Sequence, residues 1–275
     1  MKSNKFSLKN KNVIITGAAG LLAVQHIYAV LENGGNVFLI DNNKKKLNKR
    51  FSELCKLYDK SRINSFSGDI TKEIFLKNLN KKIKKLKKTV HILINNAAID
   101  YKIDQRHLNL IKKTHLESFD INIWKKDIDV GLLGSLICTK IFGTEMAKNN
   151  YGVILNIASD LSFISPDNRI YNKKNSSNKI VKPISYSVVK HGIIGLTRYT
   201  ATYWADKNVR CNAIAPGGIY NNQPKDFLKK ISKLIPLGRL SYQKEYVSSI
   251  LYLISDASSY TNGAVLNVDG GRTVL

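Results

Sequence analysis

Short unbroken apolar runs alternate along this chain with longer stretches in which apolar residues recur every three or four positions. Val13–Ile15, Val37–Ile40, Ile63–Phe66, Ile92–Ile94, Val153–Ile157, Val209–Ile214 and Val265–Val268 read as strands. The first, second, fourth and fifth are continuous β-branched runs, the pattern of strands buried on both faces. Leu22–Glu32, Lys44–Tyr58, Phe75–Leu86, Ile123–Lys148, Ser187–Lys207, Asp226–Leu234 and Lys244–Ile254 carry helical periodicity. Strand alternating with helix predicts an α/β fold: a doubly wound, Rossmann-like parallel sheet with right-handed crossovers and helices on both faces. No internal repeat or Pro/Gly/Ser-rich linker interrupts the pattern, so residues 1–275 are expected to form a single domain.

Composition narrows the picture. A hydrophobic content of 43% excludes a disordered polycation. No apolar run reaches the ~18–20 residues of a membrane span. The lysine-rich start, Met1 to Lys11, leads only into Val13-Ile14-Ile15, too short for a signal-peptide core. Three cysteines (Cys55, Cys138, Cys211) without a C-x-x-C pair suggest a reducing, cytoplasmic setting with neither disulfides nor a bound metal.

The net charge of +24 raises the question of nucleic acid. Yet only 8 of the 44 basic residues are arginine, whose fork is the usual phosphate reader. In the densest run, Lys77 to Lys88, Leu79, Ile83 and Leu86 form a helical stripe with lysines on the wet side. A coated helix face explains the charge, and a nucleic-acid partner is not expected.

The chemistry lies elsewhere. Val13–Ile15 runs into Thr16-Gly17-Ala18-Ala19-Gly20-Leu21-Leu22-Ala23 and then a helix. Small residues let the backbone approach a pyrophosphate, and a helix N-terminus offers it free N–H groups. The next strand ends in Asp41, roughly 20 residues on, where an acid binds ribose hydroxyls and repels a 2′-phosphate. NAD(H) is therefore the preferred cofactor, with NADP(H) left open by the adjacent Lys44 to Lys46. Asp69-Ile70 and Asn95-Asn96-Ala97-Ala98 follow the third and fourth strands and suit the adenine and the cofactor floor. Tyr186 and Lys190 stand four apart on one helix face. A phenol with a pKa near ~10 becomes a useful acid or base only beside a charge that favours the phenolate.

The order of these pieces, followed by Asn212-Ala213-Ile214-Ala215-Pro216-Gly217-Gly218 and Val268-Asp269-Gly270-Gly271, resembles the short-chain dehydrogenase/reductase family from Lys11 to Thr273. The resemblance implies that Tyr186 is the general acid/base and that Ser159 holds the same substrate oxygen. It implies that Lys190 binds the nicotinamide ribose and depresses the Tyr186 pKa. Gly17, Ala19, Gly20, Leu22, Asp41, Asp69, Ile70, Asn96, Ala97, Ala98, Pro216, Gly217 and Ile219 would line the cofactor. A homodimer or homotetramer is implied by the family's habit of pairing through the helices Ile123–Lys148 and Ser187–Lys207.

Three positions depart from the family pattern. Ala23 replaces the last glycine of the turn. Gly131 stands where an asparagine supports a proton relay. The interval from Ser159 to Tyr186 is about twice the usual one, implying an insertion near 166–183. That insertion carries Arg169, Tyr171, Lys173, Lys174, Lys179 and Lys182, and suits the entrance for an anionic substrate. The insertion, the turn Ala18-Ala19-Gly20-Leu21-Leu22, Asp129-Val130-Gly131-Leu132 and Asn221-Asn222-Gln223-Pro224 together look similar to bacterial flagellin-modification and surface-sugar oxidoreductases. The implied reaction interconverts a secondary alcohol and a ketone on a sugar-derived substrate. Two alternatives are a 3-oxoacyl carrier-protein reductase and a cofactor-binding subunit with little activity.

Overall fold

The computed structural model describes residues 4–86, 88–101, 113–172 and 179–275. Lys173 and Lys174 lie outside the described residues.

Seven parallel strands run β3-β2-β1-β4-β5-β6-β7 across one sheet. They are β1 (Asn12–Thr16), β2 (Asn36–Asp41), β3 (Ile63–Ser67), β4 (Ile92–Asn95), β5 (Gly152–Ile157), β6 (Val209–Pro216) and β7 (Val265–Val268). Each expected strand is present. In β1 every residue is buried, and successive side chains enter opposite cores. Val13 and Ile15 pack with Ile27 and Val30 of α1 (Ala23–Glu32) and with Ile250 and Leu253 of α7 (Val247–Ile254). Ile14 packs on the other side with Leu76 and Leu79 of α3 (Glu73–Lys85) and with Phe142 of α4 (Ile121–Lys148). The continuous apolar runs are thus explained by a sheet covered on both faces.

Helix ends differ from the periodicity reading in informative ways. On α3, Leu76, Leu79 and Ile83 are buried, but Leu86 falls at the C-cap and is 48% exposed. α2 spans Lys44–Cys55, with Asn43 accepting from the Lys46 amide at its start. α4 begins at Ile121 because Asp120 caps the Asn122 amide at 2.9 Å. It contains two π-helical segments, Asp129–Leu133 and Thr139–Gly143. By length and composition α4 could cross a membrane, but more than half of its apolar window is buried within this protein, as in a core helix. α5 spans Ile184–Tyr203, not Ser187–Lys207, and opens directly after Pro183. α6 spans Lys225–Ser232.

The described part of segment 166–183 is docked. Asn172 donates to the carbonyls of Asn168 and Ile180, both at 2.7 Å, and the Ile180 amide donates back to Asn172 Oδ1. Ile170 is buried with Ile231 and Ile235, and the Tyr171 and Phe227 rings lie 5.6 Å apart. Its residues Ile170 and Tyr171 are anchored on α6.

Candidate active site

The strand order reverses between β1 and β4, so loops from the carboxyl ends of β1, β2, β4, β5 and β6 meet at the crevice there. The Gly-rich turn enters it first. Gly17 has φ of +63°, and a Cβ on it would lie 2.8 Å from Ala97 Cα. Only glycine satisfies both the left-handed backbone and the close approach. Thr16 Oγ1 accepts from the amides of Asn96 and Ala97, each at 3.1 Å. Asn96 donates from its side chain to the Thr16 carbonyl at 2.9 Å and the Gly17 carbonyl at 3.2 Å. His26, fully buried on α1, donates from Nε2 to Asn96 Oδ1 at 3.0 Å. Burial lowers its pKa to about 4, partly offset by the Asn96 bond, so the imidazole is neutral. Thr16 and His26 were missed as partners of the turn; a histidine on an otherwise apolar helix face was the available signal.

Asp41 uses both oxygens locally. One accepts from the Ala19 amide at 3.0 Å and the other from the Asn43 amide at 2.8 Å. This fixes the carboxylate at the mouth of the crevice. Beside it a cavity of about 190 Å³ is lined by Ala19, Lys46, Lys49, Arg50 and Glu53. Asp69 accepts from the amide and hydroxyl of Thr71 at 2.9 and 2.8 Å. Ile70 is buried against Gly134, where a Cβ would lie 2.7 Å from Ile70 Cδ1. Gly20 and Ala98 are exposed, and Leu22 is half-buried. Across the crevice Pro216 is buried and Gly217 packs so closely that a Cβ would meet Asp269 Cα at 2.8 Å. Tyr246 donates to the Gly217 carbonyl at 3.2 Å, and half-buried Ile219 bridges to Ser241.

These residues fit a dinucleotide. The turn is a cradle that a Cβ at Gly17 would fill, and α1 starts without a side-chain cap. No side chain competes there with an anion at the helix start.

Ser159, Tyr186 and Lys190 converge on the β5 side. Ser159 Oγ accepts from the Leu161 amide at 3.2 Å and donates to Asp160 Oδ1 at 2.8 Å. Asp160 is itself held by Arg272 through a buried ion pair of 2.6 Å. Ser162 accepts from the Ser159 amide at 3.1 Å and donates to the Lys190 carbonyl at 2.9 Å, tying the serine loop to α5. Ser159 lies beside the Tyr186 phenol. Lys190 is buried and donates to the Ile157 carbonyl at 2.7 Å. Burial lowers its pKa to about 8. Burial raises the Tyr186 pKa, opposed first by the charge of Lys182.

Lys182 adds a second cation beside Tyr186. Its Nζ lies 4.0 Å from the Tyr186 ring centroid, whereas that of Lys190 lies 5.7 Å away. Of the other basic positions in 166–183, Arg169 is paired to Asp167 through two contacts of 2.9 Å. Gly131 lies in the first π segment of α4, packed against Val189 of α5.

The family profile described as enoyl-(acyl carrier protein) reductase matches residues 17–273. The chain belongs to the short-chain dehydrogenase/reductase family. Its members are oxidoreductases, and the Rossmann-like sheet is theirs. This short-chain dehydrogenase/reductase is 32% identical over 274 residues to a 2-dehydro-3-deoxy-D-gluconate 5-dehydrogenase of Bacillus subtilis, covering 97% of this chain and 96% of that one. It is 29% identical to an NAD-dependent glycerol dehydrogenase of Listeria innocua, covering 98% and 96%. A gluconate 5-dehydrogenase of Burkholderia cenocepacia, solved with NADP and tartrate, shares the fold at TM-score 0.81 and 21% identity, covering 99% and 98%.

Proposed function

We propose that this short-chain dehydrogenase/reductase interconverts a secondary alcohol and a ketone on a sugar-derived substrate, using NAD(H) in preference to NADP(H). The observation that carries this reading is the convergence of Ser159, Tyr186 and Lys190 beside the crevice bordered by Gly17, Asn96 and Pro216.

When bound, the nicotinamide supplies or accepts hydride; the chain supplies position and a proton. Gly17, Gly20 and Leu22, at the head of α1, would face the pyrophosphate. Ala19, held by Asp41, shapes the same turn. Asp41 would accept from ribose hydroxyls, Asp69 and Ile70 would flank the adenine, and Asn96, Ala97 and Ala98 would floor the site. Pro216, Gly217 and Ile219 would border the nicotinamide. Tyr186 would exchange a proton with the substrate oxygen, Ser159 would turn its hydroxyl from Asp160 to donate to that oxygen, and Lys190 would hold the ribose. Lysines around the cavity beside Ala19 favour NADP(H) as a second reading, because they would meet a 2′-phosphate.

The gluconate and glycerol dehydrogenase relatives support a polyol or sugar acid. The basic segment 166–183 supports an anionic one, as in the synthesis of surface-glycan precursors. A 3-oxoacyl carrier-protein reductase is favoured instead by the +24 charge, which suits an acidic carrier. Oxidation of bound NADH by keto-sugars and their phosphates, against a 3-oxoacyl thioester, separates the two. The reading fails if neither class oxidises it.

The protein would act as a homodimer or homotetramer. Leu133, Leu136, Val188, Tyr199 and Tyr203 are exposed apolar or aromatic side chains on α4 and α5. Light scattering that returns a monomer, with Leu136→Asp behaving identically, would remove this part. Its three cysteines are unpaired, which supports a reducing compartment such as the cytoplasm.

A further inference from the structure

Lys182 brings to Tyr186 a cation from outside its own helix. Its side chain is 15% exposed and its Nζ contacts Asp100 Oδ1 at 2.6 Å, while the ring of Tyr186 lies 4.0 Å from it. The backbone is pinned as well. The Lys182 amide donates to Asn168 Oδ1 at 3.0 Å, and the next residue is the buried Pro183 that opens α5. Segment 166–183 therefore delivers an ammonium to the tyrosine and holds it there.

We propose that Lys182 is a positioning residue for Tyr186: its ammonium, tethered by Asp100 over the phenol ring, favours the phenolate and sets the pH range in which the tyrosine exchanges its proton. The proposal rests on the reading of Tyr186 as the acid/base group. A phenolate spreads its charge into the ring, so a cation over the face is attracted to that form more than to the neutral phenol. Lys190 cannot duplicate this from its place. Its Nζ is farther from the ring and is engaged by the Ile157 carbonyl.

Among the described residues, the other charged or titratable groups around Tyr186 come from several elements. Asp100 after β4 opposes the phenolate, but it is 66% exposed and therefore screened by solvent. Asp160 after β5 also opposes it, and is paired with Arg272. Tyr171 of the same segment lies close to Lys182. Lys182 is the charge among these that acts most strongly towards ionisation.

The experiment is an NMR titration of the full chain carrying ¹³C at the Cζ of its tyrosines, with Tyr186→Phe identifying the Tyr186 signal. In Lys182→Met that signal should titrate about one pH unit or more above its position in the parent, a roughly tenfold loss of phenolate at fixed pH. A signal that remains un-ionised to the highest pH at which the variant stays folded meets the same expectation, provided the parent ionises. Lys182→Arg should hold close to the parent midpoint. Lys182→Gln, which can keep a hydrogen bond to Asp100, provides the same test if the methionine variant does not fold. An unchanged midpoint in the neutral variants, or a phenol un-ionised in parent and variants alike, overturns the proposal. So does a Lys182→Met variant whose only defect is a higher KM for anionic substrates. Turnover by Tyr186→Phe tests the parent reading separately. Full activity there removes Tyr186 from the chemistry without touching the titration result.

Discussion

Val189 fills the space that a side chain at position 131 would need. A Cβ built on Gly131 would overlap Val189 Cγ1, so α4 and α5 approach here through the glycine. The position that the family gives to an asparagine is closed by packing, not merely vacated. Gly131→Asn should therefore destabilise the protein by roughly 1–3 kcal/mol, the usual cost of overpacking. Adding Val189→Ala should recover part of the loss. Urea unfolding of the two variants checks this, and an unaltered midpoint in Gly131→Asn would show that α5 yields easily.

Tyr186→Phe leaves the ring in place and removes the hydroxyl that, on the proposed reading, exchanges the proton. Turnover should fall by at least about 100-fold, in line with general acid–base contributions. NADH affinity, measured by fluorescence quenching, should hardly move. Retained turnover would sink the assignment of Tyr186.

Asp41 holds the Ala19 amide and, on the proposed reading, the ribose hydroxyls. Asp41→Ala should weaken NADH binding by roughly tenfold, the scale of a hydrogen bond to a charged group. NADPH should lose less, or gain, because Lys46, Lys49 and Arg50 line the adjoining cavity. Equal losses in calorimetric titrations would mean that Asp41 serves the turn alone.

His26 links the fold to pH. Its folded pKa of about 4 lies below the ordinary histidine value of 6.5, so the unfolded chain binds the extra proton first. The stability from keeping this imidazole neutral is complete above 6.5 and is lost as pH falls towards 4, up to about 3 kcal/mol. His26→Gln, which can still donate to Asn96, should lose less stability than the parent between pH 7 and 4. Parallel acid-induced losses in denaturant midpoint would contradict this.

The outline of the site was legible because a parallel sheet leaves little choice. Its strands are unbroken apolar runs, and the residues just beyond their ends must meet at one edge. Thus Gly17, Asn96, Ser159 and Pro216 could be placed from order alone. Clamps that depend on which side chain turns inward were not legible. His26 bonds Asn96 across 70 positions, and Arg272 reaches Asp160 across 112. Neither spacing carries a periodic signal.

The sequence by itself determined the alternation of elements, the parallel sheet and which residues stand at the strand ends, because hydrophobic period and turn residues are local properties. Only the tertiary structure decided which charges act on Tyr186. The Tyr186–Lys190 spacing identifies one cation by helical geometry, four residues apart on one face. The other, Lys182, is equally near in sequence but lies before the helix begins. Its direction depends on Asn168 holding its backbone and on Asp100 holding its ammonium. A charge acts through distance and burial, and both are set where β4, the 166–183 segment and α5 come together.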